Sequence, residues 1–390
     1  LVDLFRPYLN TQLIKEELSK LFDGKTIGEG PRVKEFEEKV ANYLGQINLA
    51  MASFKVHTVA VNSGTSALHL AYILAGIKKD DEVIVPVLTC TATNHPLLWL
   101  GAKPIFADIE PDTLCISADD IESKITAKTT AIVVMHNGGH PCDMRRIMDI
   151  AERNNLKVIE DCAQAFGGEY DGQKLGTFGD FGIFSFQAIK HVTTGDGGML
   201  ICRNEGDAKR AKKLRWYGID RDLRRERNTL IPDKFNPFWQ RAMTFDVEET
   251  GFKMHMNDIA ATIGLCNFEK INEILNQRKL FANIYRKELT ILESGFNIKL
   301  LEEQPGHANW LFQILVDNVY KFQEFISLRG IETNQVQIRN DYYKIFGGEK
   351  LNLPNMNSVE TKYVSLPIHN NLSEEDIYSV VDAVKEYAQT

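Results

Sequence analysis

The 390-residue chain is predicted to be α/β: a large domain with a mostly parallel central sheet covered by helices, then a smaller C-terminal α+β domain. Three observations carry this. Short β-branched apolar runs alternate with helix-length segments through the first two-thirds, the pattern of a parallel sheet buried on both faces. From about residue 265 the texture shifts to a long, charge-rich amphipathic helix, mixed short strands and a closing helix. The first thirty residues fit neither pattern. The expected division is therefore 1–30 as an arm, 31–265 as the large domain and 266–390 as the small one.

In chain order, "EGPRVKEFEEKVANYLG" opens the large domain as an amphipathic helix. "HTVAVN" (57–62) predicts a strand, and "SGTSALHLAYILAGI" a small-residue turn opening into a helix. Further strands are predicted at "DEVIVPV" (81–87), "KPIFADI" (103–109), "TTAIVVMH" (129–136), "LKVIED" (156–161), "FGIFSF" (181–186) and "GGMLICR" (197–203). "TATNHPLLWLG" and "DMRRIMDIAERNN" supply covering helices. In the small domain, Ser373 followed by Glu374, Glu375 and Asp376 marks the start of the closing helix.

Composition narrows the function classes. The chain is 44% hydrophobic and 25% charged, which suits substantial globular cores. A formal net charge of -8 argues against a nucleic-acid partner, which needs a basic face. Cys90, Cys115, Cys142, Cys162, Cys202 and Cys266 show no C-x-x-C or zinc-like spacing, so free thiols and no metal are expected. With no apolar run of eighteen residues, the expectation is a cytoplasmic protein without a membrane partner.

Ligands of an open parallel sheet gather beyond the carboxyl ends of its strands, and three clusters sit there. "VNSGTSALHL" (61–70) places Gly64, Thr65 and Ser66 at a helix start, where backbone N–H groups and hydroxyls suit an anion, although an ordinary N-cap has the same look. "VIEDCAQAFGG" (158–168) ends a buried strand on Asp161, a carboxylate that either caps the next turn or meets a cation. "SFQAIKHVTTGDGG" (185–198) holds Lys190 among apolar and small residues. A lone lysine in such a run usually snorkels to water. An anion turn, a strand-end acid and a desolvated amine together instead suit the phosphate, ring nitrogen and aldehyde of pyridoxal 5'-phosphate.

These motifs, with "RPYL", "TIGEGPRVKEFEEKVANYLG", "GAKPIFADIEPDTLCI", "GFKMHMNDIAATIGL" and "SLPIHNNLSEEDI", resemble the DegT/DnrJ/EryC1/StrS aminotransferases over nearly the whole chain. The resemblance implies fold type I, pyridoxal 5'-phosphate, L-glutamate as amino donor and a keto sugar, usually nucleotide-linked, as acceptor. It makes Lys190 the lysine that bonds the cofactor aldehyde, Asp161 the partner of the pyridine nitrogen, and Gln164 the residue beside the phenolic oxygen. Gly64, Thr65, Ser66 and Ser185 fall at phosphate-binding positions. Lys253 falls where the partner subunit sends a residue to the phosphate, which implies a homodimer with active sites at its interface.

Two departures stand out. Cys90 in "LTCTAT" replaces the usual aromatic residue on the cofactor ring, and Gly139 and His140 replace common Tyr/Gly and Gln. His136, His191 and Arg339 are candidate substrate contacts, each with a purely structural alternative. Arg215, Arg221, Arg224, Arg225 and Arg227 are either a solvated face or a site for diphosphate or sugar carboxylate. The default acceptor is a nucleotide-linked 4-keto-6-deoxy sugar. A non-nucleotide eight-carbon sugar acid is the alternative that Cys90 and His140 suggest. A sugar 3-dehydratase of this fold would carry His in place of Lys190, a sulfur-amino-acid lyase would lack the flanking motifs, and a regulatory protein would not need Lys190 or Asp161.

Overall fold

The computed structural model describes residues 1–24, 26–45, 55–221, 247–294 and 296–390. A seven-stranded sheet forms its centre, from β1 (His57–Val61), β2 (Glu82–Pro86), β3 (Lys103–Ala107), β4 (Thr129–Met135), β5 (Lys157–Asp161), β8 (Phe181–Ser185) and β9 (Gly198–Cys202). Between β5 and β8, Glu169–Tyr170 and Gln173–Lys174 form a small hairpin, β6 and β7. The seven predicted strands all form, trimmed by one or two residues at their ends.

The order across the sheet is β1-β9-β8-β5-β4-β2-β3. Pairings among β2, β3, β4, β5 and β8 are parallel, whereas β9 is antiparallel to both β1 and β8. Six strands therefore run one way and β9 runs back between two of them. Their interiors, such as Val83, Ile132, Val133, Ile159 and Leu200, are wholly buried, as expected for a sheet covered on both faces.

The C-terminal region builds a three-stranded antiparallel sheet from β10 (Ile298–Leu300), β11 (Phe312–Val316) and β12 (Tyr363–Leu366). Helices Ile271–Leu289, Val319–Ser327 and Glu374–Ala388 supply Phe281, Tyr285, Phe322, Val380 and Val384 to its core. The expected cap at Ser373 is a full capping box with Asp376. The preceding helix, Asp258–Phe268, runs without a break past residue 265.

The first thirty residues, expected as an arm, are tied to the rest of the chain at several described points. They contain the helix Thr11–Phe22, whose start is held by Asn267 Oδ1 accepting from the Asn10 N–H at 2.9 Å. Ahead of it, Val2 bridges to Ile331 and the Leu4 N–H donates to Glu332 Oε2 at 2.9 Å. The segment thus touches both Ile331 and Glu332 of the C-terminal region and the helix Asp258–Phe268.

Two of the arginines proposed for a basic face have internal partners. Arg215, 4% exposed, donates to Glu37 Oε1 at 2.6 Å, to the Ala60 carbonyl at 2.7 Å and to Glu29 Oε1 at 3.0 Å. Arg221 donates to Glu29 Oε2 at 2.6 Å. Arg215 is therefore a structural cation and not a substrate contact, because burial among carboxylates leaves it no face to offer. Arg224, Arg225 and Arg227 lie outside the described residues. Arg215→Met is expected to leave Glu37 with Lys212, 3.3 Å from its Oε2, as its remaining cationic partner and to lower stability by about 3 kcal/mol. Urea denaturation of the two proteins measures it, and a loss below about 1 kcal/mol would mean that water reaches this network.

Candidate active site

Because β1, β2, β4, β5 and β8 point the same way, their carboxyl ends share one edge, and antiparallel β9 begins there. Asp161 is the last residue of β5 and is 3% exposed. Its Oδ2 accepts from Thr93 Oγ1 at 2.8 Å and its Oδ1 from the Ala163 N–H at 3.1 Å. Burial raises its pKa above the ordinary carboxyl value, against the lowering pull of these hydrogen bonds and of Lys190. A buried carboxylate held by neutral donors is suited to a cation such as a protonated pyridine nitrogen.

Lys190 follows β8 and keeps part of its surface open. Burial of its amine lowers the pKa to about 8, opposed by the negative charge available at Cys90 and Asp161. Its Nζ lies 3.8 Å from the centre of the Trp310 ring. At physiological pH the amine is still mostly protonated, but the lowered pKa leaves a far larger uncharged fraction for attack on an aldehyde than an ordinary lysine has.

The anion corner lies at the end of β1. Helix Gly64–Leu74 starts there, and Ser63 caps it by accepting from the Ser66 N–H at 3.1 Å. By helix geometry the first-turn amides have no intrahelical acceptor, so Gly64 and Thr65 present N–H groups at the positive end of the dipole. Ser185, the last residue of β8, packs against Gly64 so closely that a Cβ there would lie 3.0 Å from Ser185 Cβ. The Ser66 hydroxyl donates to Asn62 Oδ1 at 2.7 Å, so Ser66 shapes the turn in place of offering its proton to a phosphate.

β9 supports this corner from below. A Cβ on Gly198 would lie 2.4 Å from the Ser63 carbonyl oxygen and 2.7 Å from the Gly64 nitrogen. Gly198→Ala is expected to lower stability by about 1–3 kcal/mol and to weaken cofactor retention. Thermal melting and the cofactor absorbance left after dialysis would check both, and unchanged retention would detach Gly198 from the phosphate corner.

Gln164 is 2% exposed, and its Oε1 accepts from the Gly138 N–H at 2.7 Å. With the oxygen committed, the amide NH2 is the end suited to the cofactor's phenolic oxygen. Cys90 is exposed at the N-cap of the helix Thr91–Trp99. Lys253 places its ammonium 3.3 Å from the centre of the Trp216 ring in its own chain, while its carbonyl lies 3.5 Å from Asn62 Nδ2.

The proposed substrate contacts turn out differently. Arg339, 1% exposed, donates to Asp341 Oδ1 at 2.7 Å, Asp341 Oδ2 at 2.5 Å, Asn357 Oδ1 at 2.6 Å, Glu360 Oε2 at 2.9 Å and the Leu351 carbonyl at 2.9 Å. Its fork is fully engaged, so it braces its loop and meets no substrate anion. The neighbouring Asn340 Nδ2 donates to the Thr89 carbonyl at 2.7 Å, docking this loop beside Cys90.

His136 is wholly buried, with Nδ1 accepting from the Cys142 N–H at 3.1 Å and Nε2 lying 3.4 Å from Glu160 Oε2. Glu160 in turn accepts from the Gly176, Phe178 and Gly179 amides. With Cys162 these two form the one metal-like grouping found among the described residues. Both His136 nitrogens are occupied, so the group acts as a structural knot and His136 is not a substrate contact.

His191 is 2% exposed and its Nε2 bonds the Ala308 carbonyl at 2.8 Å. Burial, reinforced by Arg278, holds its pKa well below the usual histidine range. It anchors the Lys190 loop as a neutral ring. His140 is also buried, its nitrogens 3.1 Å from the carbonyls of Pro141 and Glu302.

Trp310 was not legible as a site residue. It stands in "HANWLFQ", an apolar stretch before a strand, and carries no local motif.

A model of the DegT/DnrJ/EryC1/StrS aminotransferase family matches residues 9–385. The chain is 30% identical to GDP-perosamine synthase of Escherichia coli O157:H7, over 99% of this chain and 98% of that protein. Among solved structures, AtS13 from Actinomadura melliaura is 35% identical with a TM-score of 0.86, covering 98% of each chain. DesV from S. venezuelae, solved with a ketimine intermediate, is 26% identical with a TM-score of 0.82, over 97% of this chain and 94% of that one.

Proposed function

This chain belongs to the DegT/DnrJ/EryC1/StrS aminotransferase family of pyridoxal-phosphate-dependent sugar aminotransferases, and we propose that it moves an amino group from L-glutamate to a nucleotide-linked 4-keto-6-deoxy sugar for surface-glycan synthesis. The observation that carries the cofactor assignment is one cleft edge holding a lysine of lowered pKa, a buried carboxylate that forms no ion pair among the described residues, and a helix start packed on Ser185. Pyridoxal 5'-phosphate supplies the electron sink that stabilises the carbanion of transamination. With the cofactor bound, Lys190 Nζ, free of charge for part of the time at neutral pH, would accept the proton from the donor's α-carbon and pass it to the cofactor carbon that keeps the nitrogen. Asp161 would hold the proton on the pyridine nitrogen of the bound cofactor. Gly64, Thr65 and Ser185 would hold its phosphate.

Relatives that include GDP-perosamine synthases from three bacteria support this acceptor. His140, one of two residues that suggested an eight-carbon sugar acid, is spent on the carbonyls of Pro141 and Glu302, which favours the nucleotide-linked sugar. Lys253 is proposed to swing from Trp216 to the phosphate of a partner subunit, making the working form a homodimer in the cytoplasm.

The test begins with cofactor-loaded protein and L-glutamate. The visible absorbance band of lysine-bound cofactor should bleach, then return on adding a nucleotide-linked keto sugar, with the aminated product seen by mass spectrometry. Recovery with the eight-carbon acid alone would overturn the acceptor assignment. A failure to bleach would overturn the choice of L-glutamate as donor.

A further inference from the structure

The amine of Lys190 rests on an aromatic face, not against a carboxylate: its Nζ stands 3.8 Å from the centre of the Trp310 ring. That ring is held in place from several directions. The residue is 2% exposed, and its Nε1–H donates to the carbonyl of Ile189, next to the lysine in sequence, at 3.0 Å. Phe5 stacks on it with ring centres 5.4 Å apart and an interplanar angle of 26°. Arg278 Nη1 donates to the carbonyls of Asn309 and Trp310 at 3.2 and 3.3 Å, and the Leu311 N–H donates to the Gly138 carbonyl at 2.9 Å. This is more anchoring than space-filling needs, and it ties the indole to the lysine's own backbone.

We propose that Trp310 is a positioning residue, the resting place of the Lys190 amine whenever that amine is not bonded to the cofactor. The proposal rests on reading Lys190 as the reacting lysine. In transamination the lysine must leave the cofactor, stay close and keep one lone pair available. A carboxylate would pin it as an ammonium. The face of an indole attracts the charged form weakly and directionally, replacing part of the lost hydration without removing the amine's basicity. The other groups facing the amine are Asp161 at the end of β5, Cys90 before the helix Thr91–Trp99, and neutral His191, with Arg278 behind it. Phe5 extends the stack, so the N-terminal segment backs the catalytic lysine through one ring.

The experiment uses full-length protein freed of cofactor, with its lysines reductively methylated with 13C-formaldehyde and followed by NMR. The Lys190 resonance is the one missing from Lys190→Ala. Ring current should place its methyl protons clearly upfield of the exposed lysines, and it should titrate near pH 8. In Trp310→Leu the upfield displacement should vanish and the midpoint fall by about half to one pH unit, while Trp310→Phe should retain part of both. A Lys190 resonance among the exposed lysines in the unmutated protein, or an unchanged midpoint in Trp310→Leu, overturns the proposal. If the Leu variant does not fold, the unmutated protein and Trp310→Phe decide it. The role of Lys190 is read separately, from the cofactor band in Lys190→Ala.

Discussion

Lys190→Ala is expected to abolish turnover, lowering kcat/KM by about 10⁴-fold or more, since it removes both the covalent anchor and the proton carrier. Among the described residues no second lysine lies over Trp310; Lys253, for instance, sits on Trp216. Pyridoxal 5'-phosphate should still enter the variant through the Gly64, Thr65 and Ser185 corner, so affinity should fall less than rate. Absorbance after adding the cofactor would lack the visible band of the lysine-bound form, and stopped assays with L-glutamate would give the rate. A variant that keeps the band would show that another lysine bonds the aldehyde.

Asp161→Asn is the second large effect, with turnover expected to fall by roughly 10³-fold. The amide has the same shape, can accept from Ala163 and can donate to Thr93 Oγ1, so the cleft should stand. What disappears is the negative charge that keeps the pyridine nitrogen protonated. Stability should move the other way. Burial raises the pKa of Asp161 in the folded chain, so this group favours folding most at low pH, and that contribution is lost as pH rises through the raised value. At pH 7 the cofactor-free Asn variant should therefore melt at the same temperature as the parent or higher. The difference should narrow below the unfolded carboxyl pKa of about 3.9. Melting curves at about pH 7 and about pH 3 test this, and a large loss of stability at neutral pH would mean that the carboxylate is already paired within the chain.

Much of this was legible in the sequence, for definite reasons. Short β-branched runs between turns can only be buried strands, and residues that follow parallel strands must share an edge, so Asp161, Lys190 and the Gly64 turn were found together. The reversal of β9 was hidden, because "GGMLIC" is as apolar as its parallel neighbours and burial on both faces looks alike in either direction. Arg339 looked like an anion contact because its partners Asn357 and Glu360 come from a later segment. His136 and His191 lay close to the cleft in sequence, but ring direction decided their roles, and nothing local sets it. Trp310 bonds Ile189 across 121 positions, a proximity created only by the small sheet docking on the large one.

The backward run of β9 also bears on how the molecule comes into being. His57 pairs with Cys202 and Val61 with Gly198, so the first strand has no neighbour until the last one has been made. A chain emerging from the ribosome carries Ser63 and Gly64 long before Gly198 arrives to brace them. Such late, long-range closure is slow and leaves a strand edge open in the meantime. The cofactor cradle is thus among the last parts of the central sheet to mature, and cofactor capture marks a chain in which that sheet has closed.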